Sequence, residues 1–287
     1  MTINTFEKYS LREGDLMTRY KYYGSLGYSG APRANLRAIT DFELYYANPS
    51  QFNDPFDCLP IINNKDTEVI RRQVINTLRT QPKALELIFT RKPELREKTD
   101  EEIIEALVIE QTEITGSEKY NRALYDNFKI LCLTRDPINI LMWSHYGNSH
   151  KGFALEFTLN PDLPVDGNLY PARVQYEPDR LDTEKIDSKN DILHYKNPVW
   201  SYEKEDRIVL SGKGGCKKYH PELLTSVIFG ACVDKKIEAE VSKAVDSTNK
   251  KYSLQIETYY VQLSDDTHKL YIPGHTYFEE ADSDQIL

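Results

Sequence analysis

The sequence predicts an α+β protein with a mixed or antiparallel β core and one helical insertion. Three observations carry that prediction. Short segments rich in β-branched and aromatic residues recur along the chain, separated by Gly, Pro, Asn and Asp. Between residues 66 and 128 the apolar spacing changes to threes and fours. The chain then returns to strands at Lys129, so the helical stretch interrupts the β core. The whole reads as one domain over residues 1–287.

Taken in order, residues 1–15 are polar and read as loosely held. Leu16–Tyr23 alternates as a strand, Gly24–Pro32 is a loop, Arg33–Thr40 suits a short helix, and Phe42–Ala47 is a second strand. Asn48–Asp57 is a turn-rich loop with two prolines. In the helical block, Val69, Ile70, Val74, Ile75 and Leu78 share one face, as do Ile103, Ile104, Leu107 and Val108. Asp66 and Thr99 are its candidate N-caps.

Lys129–Thr134 and Lys151–Thr158 are strands that bracket Trp143-Ser-His-Tyr146, a turn or short helix. On the second of them Phe153, Leu155 and Phe157 face one way, and Ala154, Glu156 and Thr158 the other. Pro161–Gly167 is a loop, Ala172–Tyr176 a short strand and Asp182–Tyr195 a polar helix or loop. A strand starts at Glu205, and Gly-Lys-Gly-Gly at 212–215 is a turn. Val227–Phe229 is a buried strand and Asp234–Lys251 a helix capped by its aspartate. Leu254–Leu263 and His268–Ile272 form a final hairpin-like pair, for a total of about eight or nine strands.

Composition narrows the function. A net charge of −9 argues against general affinity for nucleic-acid backbone, though a local basic cleft is compatible with it. No apolar run reaches spanning length, and the N-terminus lacks the apolar region of a signal peptide. Four scattered cysteines without a Cys-x-x-Cys pair fit a reducing cytoplasm and no structural zinc. Tyrosine outnumbers phenylalanine 20 to 10, which favours wet clefts and interfaces over a dry core.

Three segments can carry chemistry. In Tyr202-Glu-Lys-Glu-Asp-Arg207, extended backbone puts Glu203, Glu205 and Arg207 on one face, where a guanidinium can hold a carboxylate ionised and aimed. An exposed edge strand with a salt bridge would read the same way. In Trp143-Ser-His-Tyr146, adjacency of Ser144 and His145 does not make a catalytic pair, because neighbours rarely point at each other. His145 and His150 lack the intervening Glu of a zinc motif, so no metal site is expected. Asn53-Asp-Pro-Phe-Asp57 is either a self-satisfied turn or a loop closing over a ligand.

Several of these blocks together resemble a known family. Tyr20-Lys-Tyr-Tyr, Leu44-Tyr-Tyr-Ala-Asn-Pro-Ser-Gln-Phe-Asn-Asp-Pro-Phe-Asp-Cys58, Met142-Trp-Ser-His-Tyr146, His150-Lys-Gly-Phe153 and Trp200-Ser-Tyr-Glu-Lys-Glu-x-Arg207 resemble the bacterial domain-of-unknown-function family numbered 2971, over roughly Tyr20 to Val233. Asp206 stands where that family has an aromatic. The resemblance implies a bacterial cytoplasmic protein, often encoded among mobile elements and defence genes, and gives no reaction.

A looser resemblance is to ADP-ribosyltransferase-like toxins. It rests on an aromatic strand, a short Asn35–Ile39 helix, a second strand and a late Glu-x-Glu strand. It lacks that class's NAD-binding histidine or arginine, for which Lys21 or Arg19 would stand in. It implies NAD as substrate, with cleavage of the nicotinamide–ribose bond through a sugar cation. On that reading Glu205 steadies the cation and Glu203 places or deprotonates the acceptor. His145 and Ser144 hydrogen-bond the amide or ribose, Trp143 or Tyr146 stacks on nicotinamide, and Lys21 and Arg207 meet phosphate or orient the carboxylates. Tyr22, Asn53 and Asp54 complete the pocket. The acceptor is a nucleic acid or a protein, and a restraining antitoxin or a phage-derived activator is the expected regulator. The competing expectations are a metal-dependent nuclease-type abortive-infection effector and a non-enzymatic sensor of a small molecule or phage protein.

Overall fold

The centre of the protein is a seven-stranded sheet. From edge to edge it runs Glu257–Tyr260 (β11), Leu224–Phe229 (β10), Phe153–Thr158 (β4), Thr18–Tyr23 (β1), Phe128–Thr134 (β3), Glu205–Ser211 (β8) and Ala172–Arg173 (β5). The computed structural model describes residues 18–27, 31, 33–59, 67–115, 127–160, 162–163, 167–179, 191–212 and 214–275. The readings of residues 1–17, most of the loop at 28–32, the Asp66 cap, residues 116–126 and residues 182–190 lie outside them.

Neighbours in the sheet are antiparallel except β10 and β11, so the expected α+β class with a mixed sheet holds. The expected final hairpin holds at its closed end, while the first part of Leu254–Leu263 joins the main sheet instead. Lys235–Tyr252 (α6) links β10 to β11, and a strand–helix–strand crossover returns the chain parallel. Only Gln262–Leu263 (β12) and Leu270–Tyr271 (β13) pair as a hairpin. Asp234 caps α6 as its sequence predicts, its carboxylate accepting from the amides of Lys236 and Ile237 at 2.9 and 3.2 Å.

Two further small sheets raise the described strands to thirteen, above the eight or nine expected. Glu43–Tyr46 (β2) pairs with Gly215–Lys218 (β9), and Gln175–Tyr176 (β6) pairs with Tyr195–Lys196 (β7). The single strand expected over Ala172–Tyr176 is therefore split between two partners. These two-residue pieces are too short for any periodicity to reveal.

The alternation read from β4 is the alternation that builds the core. Phe153, Leu155 and Phe157 pack with Leu131, Leu133, Val227, Phe229 and the buried face of α6. On the other side Ala154 joins Tyr20, Tyr22 and Ile228 beneath Met142 and Trp143 of the helix Ile140–His145 (α5). Each such side chain contributes about 1.5–3 kcal/mol when fully buried. The helical block consists of Thr67–Thr80 (α2), Pro82–Arg91 (α3) and Asp100–Thr115 (α4), with α2 against α4 and Ile70, Ile103 and Val108 buried. Thr99 and Glu102 form a reciprocal capping box at the start of α4. Arg37–Thr40 (α1), after one 3-10 turn at Ala34–Leu36, packs on α6.

What positions the candidate site is a break in the sheet. β1 pairs with β4 over six residues but with β3 at one position, Tyr20 opposite Thr134. Farther along β3, Ile130 instead exchanges both backbone hydrogen bonds with Ala47, the residue after β2. Between those points β1 and β3 part, and the ammonium of Lys21 reaches over to the Cys132 carbonyl at 3.1 Å.

The other edge of β1 is held by close backbone contact. A Cβ on Gly152 would lie 2.1 Å from the Tyr23 carbonyl oxygen and 3.0 Å from the Gly24 Cα. Gly152→Ala therefore pushes β1 away from β4, and the expected destabilisation is about 3 kcal/mol by urea denaturation. A variant as stable as the parent would refute this account of how β1 is seated.

Candidate functional site

The site starts where the chain enters β8. Asn197 caps a 3-10 helix over Pro198–Glu203, accepting from the Val199 amide at 3.0 Å, with Pro198 supplying the preset first turn. Lys204 adopts a left-handed conformation, φ 44°, which ends the helix and starts β8 at Glu205. Glu203 therefore does not share an extended strand face with Glu205 and Arg207. It comes from the preceding helical turn and meets Glu205 through a common partner, Lys196 of β7.

Lys196 Nζ donates to Glu203 Oε2 at 2.5 Å and to Glu205 Oε2 at 3.1 Å, and lies 3.6 Å from Asp57 Oδ2. Arg207 spans the other two acids. Its Nε and one terminal nitrogen donate to the two oxygens of Glu205 at 2.8 and 3.0 Å, and its terminal nitrogens donate to Asp57 at 2.9 and 2.6 Å. The Leu193 carbonyl accepts a further bond at 2.8 Å. Phe52 lies under the guanidinium and Trp200 under the Lys196 ammonium, at 5.3 and 5.1 Å. All five charged residues are buried.

Three carboxylates face two cations, and the imbalance falls on Glu203. For Glu205, burial acts to raise the pKa, but the charges of Arg207 and Lys196 and the Arg207 hydrogen bonds outweigh it and hold it ionised, well below the usual carboxylate range. For Glu203, burial and the neighbouring Glu205 charge prevail over Lys196, and its pKa is raised. The Tyr146 hydroxyl donates to Glu203 Oε1 at 2.6 Å, and burial together with the Glu203 charge pushes that phenol's pKa up, so it stays a donor. Two neighbouring acids are thus pushed in opposite directions.

Both acids open onto a cavity of about 560 Å³ lying over the gap between β1 and β3. Its walls include Lys21, Tyr22, Asn53, His145 and Tyr146 among the residues the sequence singled out, together with Asp57 and Lys196. Glu205 and the Trp-Ser-His-Tyr segment therefore share one hollow. The Asn53 amide lies 3.3 Å from the Tyr146 hydroxyl, which brings the Asn-Asp-Pro-Phe-Asp loop to the same wall.

The remaining singled-out residues are elsewhere. Trp143 is wholly buried, its indole N–H donating to the Pro137 carbonyl at 2.8 Å and its ring meeting the edge of Tyr22, so no face is free to stack on a ligand. Ser144 Oγ donates back to the Ile140 carbonyl and lies 3.4 Å from His150, while His145 Nδ1 pairs with the Tyr202 hydroxyl at 2.9 Å. Ser144 and His145 thus have separate partners. Asp54 is buried and accepts from the Phe56 amide at 2.9 Å, the local turn role that its position before proline allows. Arg207 lies beneath the two acids and orients them; it does not line the cavity.

Sequence reasoning missed two members. Asp57 ends the Asn-Asp-Pro-Phe-Asp motif, yet nothing local distinguishes it from the turn-forming acid before it. Lys196 stands in a polar stretch without periodicity, in the two-residue strand β7 that pairs with β6. Among the described residues no group of three His, Cys, Asp or Glu side chains is arranged to hold a metal ion, and no helix is long and apolar enough to cross a membrane.

Residues 142–208 match a family model described as a protein of unknown function (DUF2971). The matched stretch runs from α5 to β8 and so takes in Tyr146, Lys196, Glu203, Glu205 and Arg207. No curated protein and no solved structure is significantly similar to the chain.

Arg207→Met leaves Asp57 and Glu205 buried with one shared cation in place of two. The expected loss is about 3–5 kcal/mol in chemical denaturation. Arg207→Lys recovers only part of it, because a single ammonium cannot grip two carboxylates along parallel bonds. Wild-type stability in Arg207→Met would show that the cluster does not anchor these segments.

Proposed function

We propose that the cavity binds NAD and breaks the nicotinamide–ribose bond, passing ADP-ribose to a macromolecular acceptor or to water. The observation that carries this reading is the pair of acids that share Lys196 and open to one hollow with opposed protonation tendencies. Pairs of titratable groups pushed apart in this way are the usual mark of an acid–base division of labour.

Leaving of nicotinamide develops positive charge on the ribose. Glu205, fixed and ionised, steadies that charge through its field, since its oxygens already accept bonds from Arg207 and Lys196. Glu203, with the raised pKa, takes the proton from the attacking hydroxyl or water. Tyr146 holds Glu203 in place, and the phenol-rich wall suits the flat, cationic nicotinamide ring. On this reading the core is ADP-ribosyltransferase-like. The order of β1, the short α1 helix, β2 and the late Glu-x-Glu element supports that, as does the opening of the sheet at β1. A metal-dependent nuclease would need acids free to coordinate, whereas these three are committed to Lys196 and Arg207.

The test is release of free nicotinamide from NAD, with and without chelator. Metal-independent release is expected, with kcat lowered about 10²–10⁴-fold in Glu203→Gln. Glu203 acts in its deprotonated form, so activity rises with pH through a midpoint above the ordinary carboxylate range, and the variant lacks this limb. No release by the wild type sinks the proposal. Release that needs a divalent cation, or nucleic acid degraded instead, favours the nuclease reading, and tight binding without turnover favours a sensor.

A further inference from the structure

A second group of charges lies on the face of the sheet opposite the acids. Side chains alternate along β8, so Asp206 points away from Glu205 and Arg207, and its strand neighbours Leu133 and Arg173 share its face. Asp206 is wholly buried. Its Oδ2 accepts from Nε of Arg19, itself buried near the start of β1, and its Oδ1 lies 3.5 Å from Nε of Arg135, the residue after β3. The Thr18 carbonyl holds Arg19 at 2.8 Å, and the Lys204 carbonyl holds Arg135 at 3.3 Å. Arg173, in register with Asp206, is exposed and has no carboxylate partner among the described residues. Three guanidinium groups thus gather on one carboxylate. The residues beside them in sequence, Lys204 and Asp136, pair with each other at 2.8 Å and cancel, so the group keeps an excess of positive charge. Arg135 registers that excess. Burial lowers its pKa, and the charges of Arg173 and Arg19 act in the same direction while Asp206 opposes them.

We propose that Arg19, Arg135 and Arg173 form a binding site for a phosphate dianion, free or as the end group of a small phosphomonoester. Three cations against one carboxylate match a ligand of two negative charges, which turns their mutual repulsion into attraction. Exposure sets the order of the parts. Arg19 stands behind and supplies charge, while half-buried Arg135 and exposed Arg173 have terminal nitrogens with no acceptor among the described residues. Guanidinium groups suit phosphate because they donate along parallel bonds. Asp206 holds Arg19 and Arg135 in place beforehand, which lowers the cost of ordering them around a ligand. None of the four residues lines the cavity over β1 and β3, so this site is separate from the proposed reaction and does not depend on it. The overall charge of −9 disfavours a polynucleotide as the source of the phosphate.

The probes are inorganic phosphate and glycerol 1-phosphate, titrated calorimetrically into the full chain at about pH 8, where both are mainly dianions. Sodium chloride holds the ionic strength constant. The wild type is expected to bind with a Kd on the order of 1 mM or tighter. Arg173→Ala is expected to weaken binding about tenfold, and Arg135→Ala by a similar factor. Arg173 is exposed and makes no ion pair among the described residues, so its loss leaves the melting temperature unchanged and keeps the test sound should Arg135→Ala disturb Asp206. Preference for glycerol 1-phosphate marks the ligand as a phosphomonoester and preference for inorganic phosphate marks it as free phosphate; either supports the site. No binding by the wild type beyond the chloride background overturns it, as does equal affinity in the wild type and Arg173→Ala. A single-stranded oligonucleotide that binds more tightly than both probes, and is lost in Arg173→Ala, overturns it in favour of a nucleic-acid surface.

Discussion

Arg207 is the interaction on which the rest depends. It is almost fully buried, and its guanidinium ties the end of the Asn53–Asp57 loop to β8 and, through the Leu193 carbonyl, to the segment leading into β7. Lys196 extends the same cluster to the 3-10 turn that carries Glu203. Four stretches of chain with little apolar periodicity are thereby held by charge. Burying ions for stability alone is a poor arrangement, since well-packed apolar residues of the same volume are often as stabilising or better. A cluster with one more acid than cations, opening onto a cavity, is better explained by a need for charge at that place.

The second constraint is the sheet itself. A continuous antiparallel sheet has no room for a ligand between neighbouring strands. Here β3 exchanges its partner, from Tyr20 at one end to Ala47 at the other, and the unpaired interval becomes the bed of the cavity. Lys21 reaches across the interval to the Cys132 carbonyl, so a backbone acceptor at the break keeps a donor. Tyr20 and Tyr22 seat β1 in the core and also line the cavity into which the acids open.

Much of this was legible in the sequence where one physical rule acts alone. The alternation of Phe153, Leu155 and Phe157 marked the face of β4 that packs with α6, and Asp234 and Thr99 marked helix starts by capping chemistry. Glu203, Glu205 and Arg207 were recognisable as a group, although the route by which Glu203 arrives was not, because one left-handed residue at Lys204 replaces the strand that their spacing suggests. Lys196 and Asp57 were hidden for a different reason. Asp57 acts through Arg207, 150 positions away, and Lys196 meets Glu203 and Glu205 seven and nine positions on, across a turn; loops and turns carry no periodic signal of such contacts. Trp143 stood out because its neighbours are polar, but a tryptophan needs only one polar partner to be wholly buried, and Pro137 supplies it. The parallel β11 followed from a helix standing between two strands, a connection that a hairpin reading overlooked.

The unequal bonding of the two acids limits which of them can move a proton. Glu205 accepts two bonds from Arg207 and one from Lys196, and protonating it would break charge-assisted contacts in a buried setting. Glu203 accepts one bond from Lys196 and one from a neutral phenol, and its environment already favours the proton. In the proposed reaction, exchange of a proton with the ligand therefore runs through Glu203 while Glu205 keeps its charge. That asymmetry suits a reaction in which a cation must be steadied at the moment an acceptor is deprotonated. It is poorly suited to a nucleophilic Glu205, whose oxygens already accept three charge-assisted bonds, and equally to a Ser144–His145 pair, whose side chains have other partners.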